Sequence, residues 1–324
     1  MFTFRFDMRA PATGAPPADL YDASLEMAEW AETRGLLMAL LCEHHGSPDG
    51  YLPSPLALAS AMAARTKTLP ITIAIFQLPL YNPVRLAEEM NVIDLISRGR
   101  VNYVGGIGYL PAEYEASGID FHKRGKIADA HLELLLRALK GDPFEYEGRR
   151  IHITPGPFTP GGPRVAWGGG SAAAAKRAGR LGLDLFAQSE DPELRVVYEA
   201  ACAANGHPVG NCILPKRDGT VVAFVAEDVN QAWEELGPYL MHDVLTYAEW
   251  NEGREASGIS RVSDAAALRA ADSTHRIMSV ERAIAQVRGG VPLMLHPLIG
   301  GMPPALAWRY LKTVTEKVMP ALAM

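Results

Sequence analysis

The sequence predicts an α/β protein, a (β/α)8 TIM barrel with an extra hairpin and a loop insertion in its seventh unit. Short apolar and β-branched runs alternate with longer stretches of helical period, and about eight such units follow one another. No break in this pattern divides the 324 residues. A doubly wound open sheet is the alternative, but eight uninterrupted units favour one closed barrel domain over residues 1–324.

Each strand is predicted from a short run of apolar, β-branched or aromatic residues. The first run shows the pattern, because Phe2, Phe4 and Phe6 alternate as they do in a buried strand. The eight predicted strands cover residues 3–8, 36–42, 71–76, 101–107, 164–167, 183–187, 221–225 and 292–296.

Each helix is predicted from apolar residues that recur at helical spacing. In the fourth connection Ala128, Leu132, Leu135 and Leu139 form one apolar stripe that can face a sheet. Proline at position 83 is tolerated in a first helical turn. The predicted helices cover residues 18–33, 56–65, 83–97, 124–139, 172–181, 192–205, 229–247 and 304–317.

Two segments fall outside the repeat. Residues 144–153 alternate around Gly148 and predict a small hairpin before the fifth strand. Residues 250–276 are rich in Ala, Ser, Asp, Glu and Gly, and they interrupt the seventh unit. Such an insertion can be a lid or substrate loop, or a solvated connector with no role, and the sequence leaves both possibilities open.

The composition excludes several function classes. A formal net charge of −6 gives no basic stripe for a nucleic acid or an anionic membrane surface. The apolar run at 35–42 is too short to span a membrane, and the N-terminus has no signal-peptide pattern. Three scattered cysteines predict neither a disulfide framework nor a zinc site. A cytoplasmic protein is expected.

In a (β/α)8 barrel the reacting groups come from the carboxyl ends of the strands. Glu43, His44 and His45 close the second predicted strand, and neighbouring side chains on a strand point to opposite sides. Since histidine titrates near neutrality, one imidazole there can move a proton. Two polar loop histidines without chemistry are the alternative. A metal site is not expected, because consecutive histidines cannot both bind one ion.

The segment Trp-Gly-Gly-Gly-Ser at 167–171 runs from the fifth strand directly into an alanine-rich helix. The glycines Gly168, Gly169 and Gly170 let the backbone approach an anion, and the first helical N–H groups are free to bind it. Ser171 can add its hydroxyl to a phosphate or simply cap the helix, and both interpretations stay open.

Three further features lie at strand ends. Gly105 and Gly106 allow a flat ring or a backbone to come close to the barrel, although a tight turn without a ligand is equally acceptable. Tyr109 is a candidate substrate-facing aromatic or ordinary packing at the rim. His296 closes the eighth predicted strand and is a second candidate for substrate contact.

Several segments together resemble one family, the bacterial luciferase-like, flavin-dependent oxidoreductases. The segments are Cys-Glu-His-His at 42–45, the proline-to-arginine block at 78–100, Gly-Ile-Gly-Tyr at 106–109, the glycine motif at 167–171 and His-Pro-Leu-Ile-Gly-Gly-Met-Pro-Pro at 296–304. The likeness runs nearly end to end and is weakest over 250–276. It implies a TIM barrel that binds reduced FMN, or deazaflavin F420 in one branch, at the carboxyl-end mouth.

The resemblance also implies roles for individual residues. The flavin phosphate would lie on Gly169, Gly170 and Ser171. Ala74 and Ile75 match the position of a non-proline cis peptide behind the flavin ring. His44 matches the histidine near the flavin peroxide. Gly106 stands where luciferase has a reactive cysteine, and the neighbouring Ile107 replaces a phosphate-contacting arginine, so tight flavin retention and light emission are not expected.

We therefore expect a monooxygenase that uses reduced FMN and O2 to oxygenate an apolar organic substrate through a C4a-peroxyflavin. A separate flavin reductase would supply the reduced flavin, and family analogy favours a homodimer. An F420-dependent hydride-transfer enzyme and a flavin-binding protein without turnover are the alternatives. A phosphosugar aldolase on the same barrel is disfavoured, because no candidate Schiff-base lysine lies at a strand end.

Overall fold

The computed structural model describes residues 1–217, 219–253 and 258–322. In these residues the strands are β1 Phe2–Phe6, β2 Leu36–Leu41, β3 Ile71–Gln77, β4 Val101–Gly106, β5 Phe144–Tyr146, β6 Arg149–Ile151, β7 Val165–Gly168, β8 Leu185–Phe186, β9 Cys212–Ile213, β10 Val222–Ala226, β11 His275–Ser279 and β12 Leu293–Leu295. The strands β5 and β6 form a separate two-stranded antiparallel sheet.

Helices fill the connections between the strands. They are α1 Pro17–Glu32, α2 Pro55–Arg65, α3 Pro83–Ser97, α4 Pro111–Ala116, α5 Arg124–Ala138, α6 Ala172–Arg180, α7 Glu193–Ala204, α8 Val229–Trp250, α9 Ala265–Ala271, α10 Val280–Arg288, α11 Pro304–Thr313 and α12 Met319–Leu322. None of the helices in the described ranges is long and apolar enough to cross a membrane.

The predicted α/β class is confirmed, since every predicted strand and helix is present within a few residues. The predicted hairpin is confirmed as well, because β5 and β6 pair antiparallel. Glu147 and Gly148 at its turn both have positive φ, 47° and 72°. This is the backbone of the tight two-residue turns that match the right-handed twist of paired strands.

Contacts group the chain into two compact units. Unit 1 comprises Met1–Leu40, Ser47–Pro53 and Lys216–Met324, and unit 2 comprises Leu41–Gly46 and Ser54–Pro215. Both are built from several chain segments. The expectation of a single domain over residues 1–324 remains a prediction.

Unit 1 is built on parallel strands in the order β11-β10-β12-β1-β2. Phe4 of β1 pairs with Leu295 of β12, and Phe2, Phe4 and Phe6 are fully buried with neighbouring rings 5.4 and 5.6 Å apart. The alternation in the sequence therefore marks a core face, as predicted. Because β1 and β12 are in register, the residues that follow them leave the sheet side by side.

Unit 2 is built on parallel strands in the order β3-β4-β7-β8-β9. Tyr103 of β4 pairs with Val165 of β7, and Trp167 pairs with Leu185 of β8. The side chains of Tyr103 and Trp167 are almost completely buried. The strand ends thereby bring the segments after residues 77, 106 and 168 to one edge of the sheet.

The 250–276 insertion contains more regular structure than the sequence analysis predicts. Asp264 caps α9 by accepting a hydrogen bond from the Ala267 N–H at 2.8 Å, and β11 begins at His275. The helix is only seven residues long, which is too short for a clear apolar stripe in the sequence. Residues 254–257 of the insertion lie outside the described residues.

Candidate active site

A histidine–glutamate pair lies at the carboxyl end of the second strand, in unit 2. His44 is 7% exposed, and its Nδ1 lies 2.9 Å from Oε1 of Glu113, in the first turn of α4. A carboxylate can only accept, so Nδ1–H donates to it and the lone pair of a neutral ring stands on Nε2. The Tyr109 hydroxyl lies 3.4 Å from that nitrogen, with the two rings edge to face at 5.3 Å.

Glu113 is held in its ionised form. Burial raises the pKa of Glu113, but the hydrogen bond and electrostatic attraction of His44, the backbone N–H of His45 and the Gln77 side chain outweigh burial and lower this pKa below its usual value. The His45 N–H donates to the same Oε1 at 2.8 Å. The sequence analysis missed Glu113, since nothing in its local pattern relates it to a histidine 69 residues earlier.

Glu43 organises a second pair beside the first. Its side chain is fully buried and accepts from the Tyr81 hydroxyl at 2.7 Å and the Gln77 N–H at 3.2 Å. His45 Nε2 lies 2.9 Å from Glu43 Oε1, and this hydrogen bond, opposed by burial, raises the pKa of His45. Burial first, and then Glu43, raise the pKa of Tyr81, so its hydroxyl stays protonated. The two consecutive histidines therefore bind different carboxylates.

The peptide bond between Ala74 and Ile75 is cis, as the family resemblance implies. The Ile75 side chain fills the space beside two of the glycines named above: a Cβ on Gly106 would overlap with Ile75 Cγ2, and one on Gly168 with Ile75 Cδ1. Gly105 is enclosed similarly, since a Cβ there would lie 3.0 Å from both Phe76 and Trp167. Internal packing thus accounts for these three glycines, and their contact with a cofactor remains a prediction.

The start of α6 is open to solvent. Ser171 caps this helix, because its Oγ accepts a hydrogen bond from the Ala174 N–H at 3.3 Å. Gly170, Ser171 and the next two alanines are exposed, and no bulky side chain covers the first turn. The first N–H groups of a helix have no partner within it and carry the positive end of the dipole. The segment therefore fits a phosphate group. Ser171 caps the helix whether or not it also binds a phosphate.

Gln77 contributes an unusual polar group at the end of β3. Its side chain is 2% exposed and neither amide atom makes a hydrogen bond of normal geometry among the described residues, although its interaction with Glu113 helps to lower the pKa of that carboxyl group. Gly108 is required beside it, because φ there is +66° and a Cβ would overlap with the Gln77 amide oxygen. Buried amides are nearly always hydrogen-bonded, so an amide in this position fits the polar edge of a bound ring. Sequence analysis missed Gln77.

His296 belongs to unit 1 and lies in a buried group that we call the Arg9 cluster. His296 is 0% exposed, and its Nε2 is 3.3 Å from Oδ1 of Asp7. A role of His296 in substrate contact remains a prediction. The cluster combines three carboxylates, one guanidinium and three imidazoles, those of Asp7, Asp49 and Asp243, of Arg9, and of His242, His275 and His296.

Charges within the Arg9 cluster keep its aspartates ionised. Burial raises the pKa of Asp7, but His296 and then Arg9 outweigh burial and bring this pKa to about 2. The pKa of Asp243 is lowered in the same way, by its hydrogen bond with His275 and the charge of Arg9 against the effect of burial. At neutral pH both buried side chains therefore carry a negative charge.

A family model described as luciferase-like monooxygenase matches residues 1–290. The uncharacterized protein y4vJ of Sinorhizobium fredii (strain NBRC 101917 / NGR234) is 33% identical over 132 residues, which are 41% of this chain and 38% of that protein. The alkanal monooxygenase alpha chain of Photorhabdus laumondii subsp. laumondii is 22% identical over 231 residues, 67% of this chain and 63% of that protein. The match with y4vJ covers 38% of that protein, and the match with the uncharacterized protein y4wF of the same organism covers 41% of it. This chain therefore spans only about two fifths of the length of these two relatives.

Solved structures match the whole chain. Monooxygenase RslO1 from Streptomyces bottropensis has a TM-score of 0.73 at 21% identity, with 99% of both chains covered. The oxygenating constituent of 3,6-diketocamphane monooxygenase from Pseudomonas putida, in complex with FMN, has a TM-score of 0.70 at 18% identity and 98% coverage of both. The coenzyme F420 dependent tetrahydromethanopterin reductase from Methanopyrus kandleri has a TM-score of 0.64 at 14% identity, with 99% of both chains covered. These similarities confirm the predicted fold class.

Proposed function

Because the chain belongs to the luciferase-like monooxygenase family, we propose that it is a flavin-dependent monooxygenase that oxygenates an apolar organic substrate. It would use reduced FMN and O2, with a separate flavin reductase as the source of the reduced cofactor. When bound, the reduced flavin supplies two electrons, so that one oxygen atom of O2 enters the substrate and the other leaves as water. The solved relative in complex with FMN supports this choice of cofactor.

The observation that carries the proposal is the arrangement of Glu113, His44 and Tyr109. Glu113 accepts a hydrogen bond from Nδ1–H of His44 at 2.9 Å and so fixes the orientation of Nε2, which lies 3.4 Å from the Tyr109 hydroxyl. His44 is almost fully buried, so Nε2 can give or take a proton at a reacting oxygen without competition from bulk water. Tyr109 lies next to the same nitrogen, where it can contact a substrate and orient the imidazole.

The cofactor would be held mainly by backbone groups. We assign its phosphate to Gly169, Gly170 and Ser171 at the start of α6, where N–H groups and the helix dipole favour an anion. The face of its ring would lie against Ala74 and Ile75. The buried amide of Gln77 offers the donor and acceptor that the polar edge of a flavin needs.

Few cationic side chains join this phosphate site. Ile107 stands where the resemblance implies an arginine, and Ser171 adds only a hydroxyl. The phosphate then lacks the charge-assisted hydrogen bonds that an arginine supplies. We therefore expect weak retention of oxidised FMN, which suits a protein that exchanges its flavin with a reductase in each turnover.

Binding titrations with FMN, reduced FMN and F420 test the cofactor, and oxygen consumption with each reduced cofactor tests the reaction. We expect reduced FMN to bind best and to support substrate-dependent incorporation of oxygen from ¹⁸O2. The proposal fails if neither form of FMN binds. Binding of FMN without turnover over a broad substrate panel would instead identify a flavin-binding protein.

Substitution of His44 tests the catalytic assignment. His44→Ala should lower substrate oxygenation by about 100-fold or more, because general acid–base catalysis typically contributes this much. FMN binding should stay within a few-fold of that of the unchanged protein. His152→Ala is the control, since His152 is exposed on the hairpin. Unchanged oxygenation in His44→Ala would overturn the role of this residue.

An F420-dependent hydride transfer is the second candidate function. The similarity of fold to the F420 dependent reductase from Methanopyrus kandleri favours it. In that case reduced F420 should reduce a substrate at the same rate with and without O2. Reduced FMN should then support no oxygenation, so the same titrations distinguish the two functions.

A further inference from the structure

The Arg9 cluster in unit 1 holds several buried polar atoms without partners. Asp7 Oδ2, Asp243 Oδ1 and both ring nitrogens of His296 make no hydrogen bond of normal geometry among the described residues, although His296 Nε2 lies 3.3 Å from Asp7 Oδ1. These three residues are at most 1% exposed. Because buried polar atoms without partners are costly, an arrangement that leaves several of them in one place indicates a ligand.

The fold brings Asp7, Asp243 and His296 close together. Asp7 directly follows β1 and His296 directly follows β12, and these two strands are paired in register. Asp243, from the middle of α8, completes the set. One ligand atom from each of the three residues lies within 4.8 Å of the others. Bond lengths of about 2.0–2.2 Å require these atoms to move together by only about 1 Å.

One oxygen of each carboxylate, that of Asp7 and that of Asp243, is held by a hydrogen bond to a neighbouring group. The Arg9 N–H donates to Asp7 Oδ1 at 3.2 Å, and His275 Nε2 lies 2.9 Å from Asp243 Oδ2. The remaining oxygen of each carboxylate is oriented and has only an ion pair with Arg9, at 3.6 Å for Asp7 and 3.5 Å for Asp243. Carboxylates that bind metals are usually held in this way by hydrogen bonds from residues behind them.

Arg9 does not satisfy these oxygens. Its nitrogens stay 3.5 Å from Asp243 Oδ1 and 3.6 Å from Asp7 Oδ2, beyond a normal charge-assisted hydrogen bond. The guanidinium instead lies against the faces of Tyr51, Tyr247 and Trp250, with its central carbon 4.9, 4.6 and 4.9 Å from the ring centroids. These cation–π contacts stabilise Arg9 beside the carboxylates, with which it forms ion pairs that are longer than hydrogen bonds.

We propose that Asp7, Asp243 and His296 bind a divalent transition-metal ion such as Mn²⁺ or Zn²⁺. Two carboxylates and one imidazole form a donor set that suits these ions. The sequence alone predicts no metal site, because it contains no ligand motif. These three ligands come from widely separated segments, so only the fold brings them together. The proposal does not depend on the proposed oxygenation.

The test measures metal binding by the full-length protein. The protein is stripped with EDTA, dialysed against Mn²⁺, Zn²⁺ or Co²⁺, and its metal content and thermal midpoint are determined. We expect one ion per chain, a higher midpoint with metal and visible absorption from bound Co²⁺. Binding of a ligand to the folded state alone requires such a stabilisation.

Matched variants locate the site. Asp243→Asn and His296→Gln should each weaken metal binding by about 100-fold or more, with the fold checked by circular dichroism. Asp49→Asn should weaken it by at most about tenfold, because both Asp49 oxygens are already engaged, by Ser47 and His242. Binding that is equally strong in the Asp243 and His296 variants would overturn the assignment.

Metal binding by the unchanged protein tests the proposal even if the variants do not fold. A protein that binds none of the three ions and shows the same midpoint with and without them would overturn it.

Discussion

His44 depends on a partner that is distant in sequence. Its own position follows from the end of β2, but Glu113 fixes the tautomer of the ring, and Glu113 is in turn held by the backbone of His45. The imidazole is therefore oriented before a substrate arrives, which is the condition for efficient proton transfer. Glu43 binds the second imidazole and keeps it away from Glu113.

Glu113 makes the stability of the protein depend on pH. Its pKa in the folded state lies below the ordinary value of 4.5, so its contribution is fully present above about pH 4.5 and is lost as the pH falls through the folded-state pKa. The free energy of unfolding should be measured with urea from pH 6 to pH 3 for the unchanged protein and for Glu113→Gln. The difference between the two free energies should become smaller as the pH falls. A difference that stays constant with pH would contradict this prediction.

The glycine at 106 is explained by its neighbour Ile75. Gly106→Ala should destabilise the protein by about 1–3 kcal/mol, because the new methyl group overlaps with Ile75 Cγ2. In a protein that already carries Ile75→Ala, the same substitution should lower the free energy of unfolding by clearly less. Gly156→Ala is the control, since a Cβ there meets nothing within 4 Å. Equal costs of Gly106→Ala in both backgrounds, measured by chemical unfolding, would show that Ile75 is not the obstacle.

At the scale of elements, the small residues at the start of α6 leave the N-terminus of this helix accessible to solvent. Three glycines and Ser171 precede it, and alanines fill its first turn. Its packing against α7 is equally close, because a Cβ on Gly179 would lie 2.6 Å from the Tyr198 carbonyl oxygen. The helix is thus fixed from one side while its N-terminus stays accessible to an anion.

Ser171→Asp separates the two roles of this residue. Aspartate caps a helix as well as serine does, so stability should change little, but its charge should repel the flavin phosphate. We expect affinity for FMN to fall by about tenfold or more while affinity for riboflavin, which has no phosphate, stays the same. Ser171→Asn is the uncharged control and should bind both flavins nearly normally. An equal loss for both flavins would place the phosphate elsewhere.

At the scale of the whole molecule, the chain passes repeatedly between the two units. Residues 41–46 belong to unit 2 and residues 47–53 to unit 1, and the boundary at Leu40 falls inside β2. Neither unit is one continuous piece of chain. We therefore propose that the 324 residues fold as one domain, as the unbroken sequence pattern predicts.

One cooperative unfolding transition is expected for such a domain. Trp167 is the only tryptophan of unit 2, whereas Trp30, Trp233, Trp250 and Trp308 belong to unit 1. A protein with Trp167 alone and a Trp167→Phe protein therefore report on different units by fluorescence. In each protein the fluorescence and circular dichroism transitions should coincide in urea. Separate midpoints would show two domains instead.

The sequence by itself determined the order of strands and helices, the hairpin, the caps and the strand ends at which chemistry is possible. These features follow from periodicity, glycine, proline and capping residues, which act within a few positions of the chain. Only the tertiary structure decided that Glu113 binds His44, that Ile75 fills the space beside Gly106 and that His296 joins the Arg9 cluster. Such pairings depend on contacts between distant segments, and the burial that gives them their strength exists only in the folded chain.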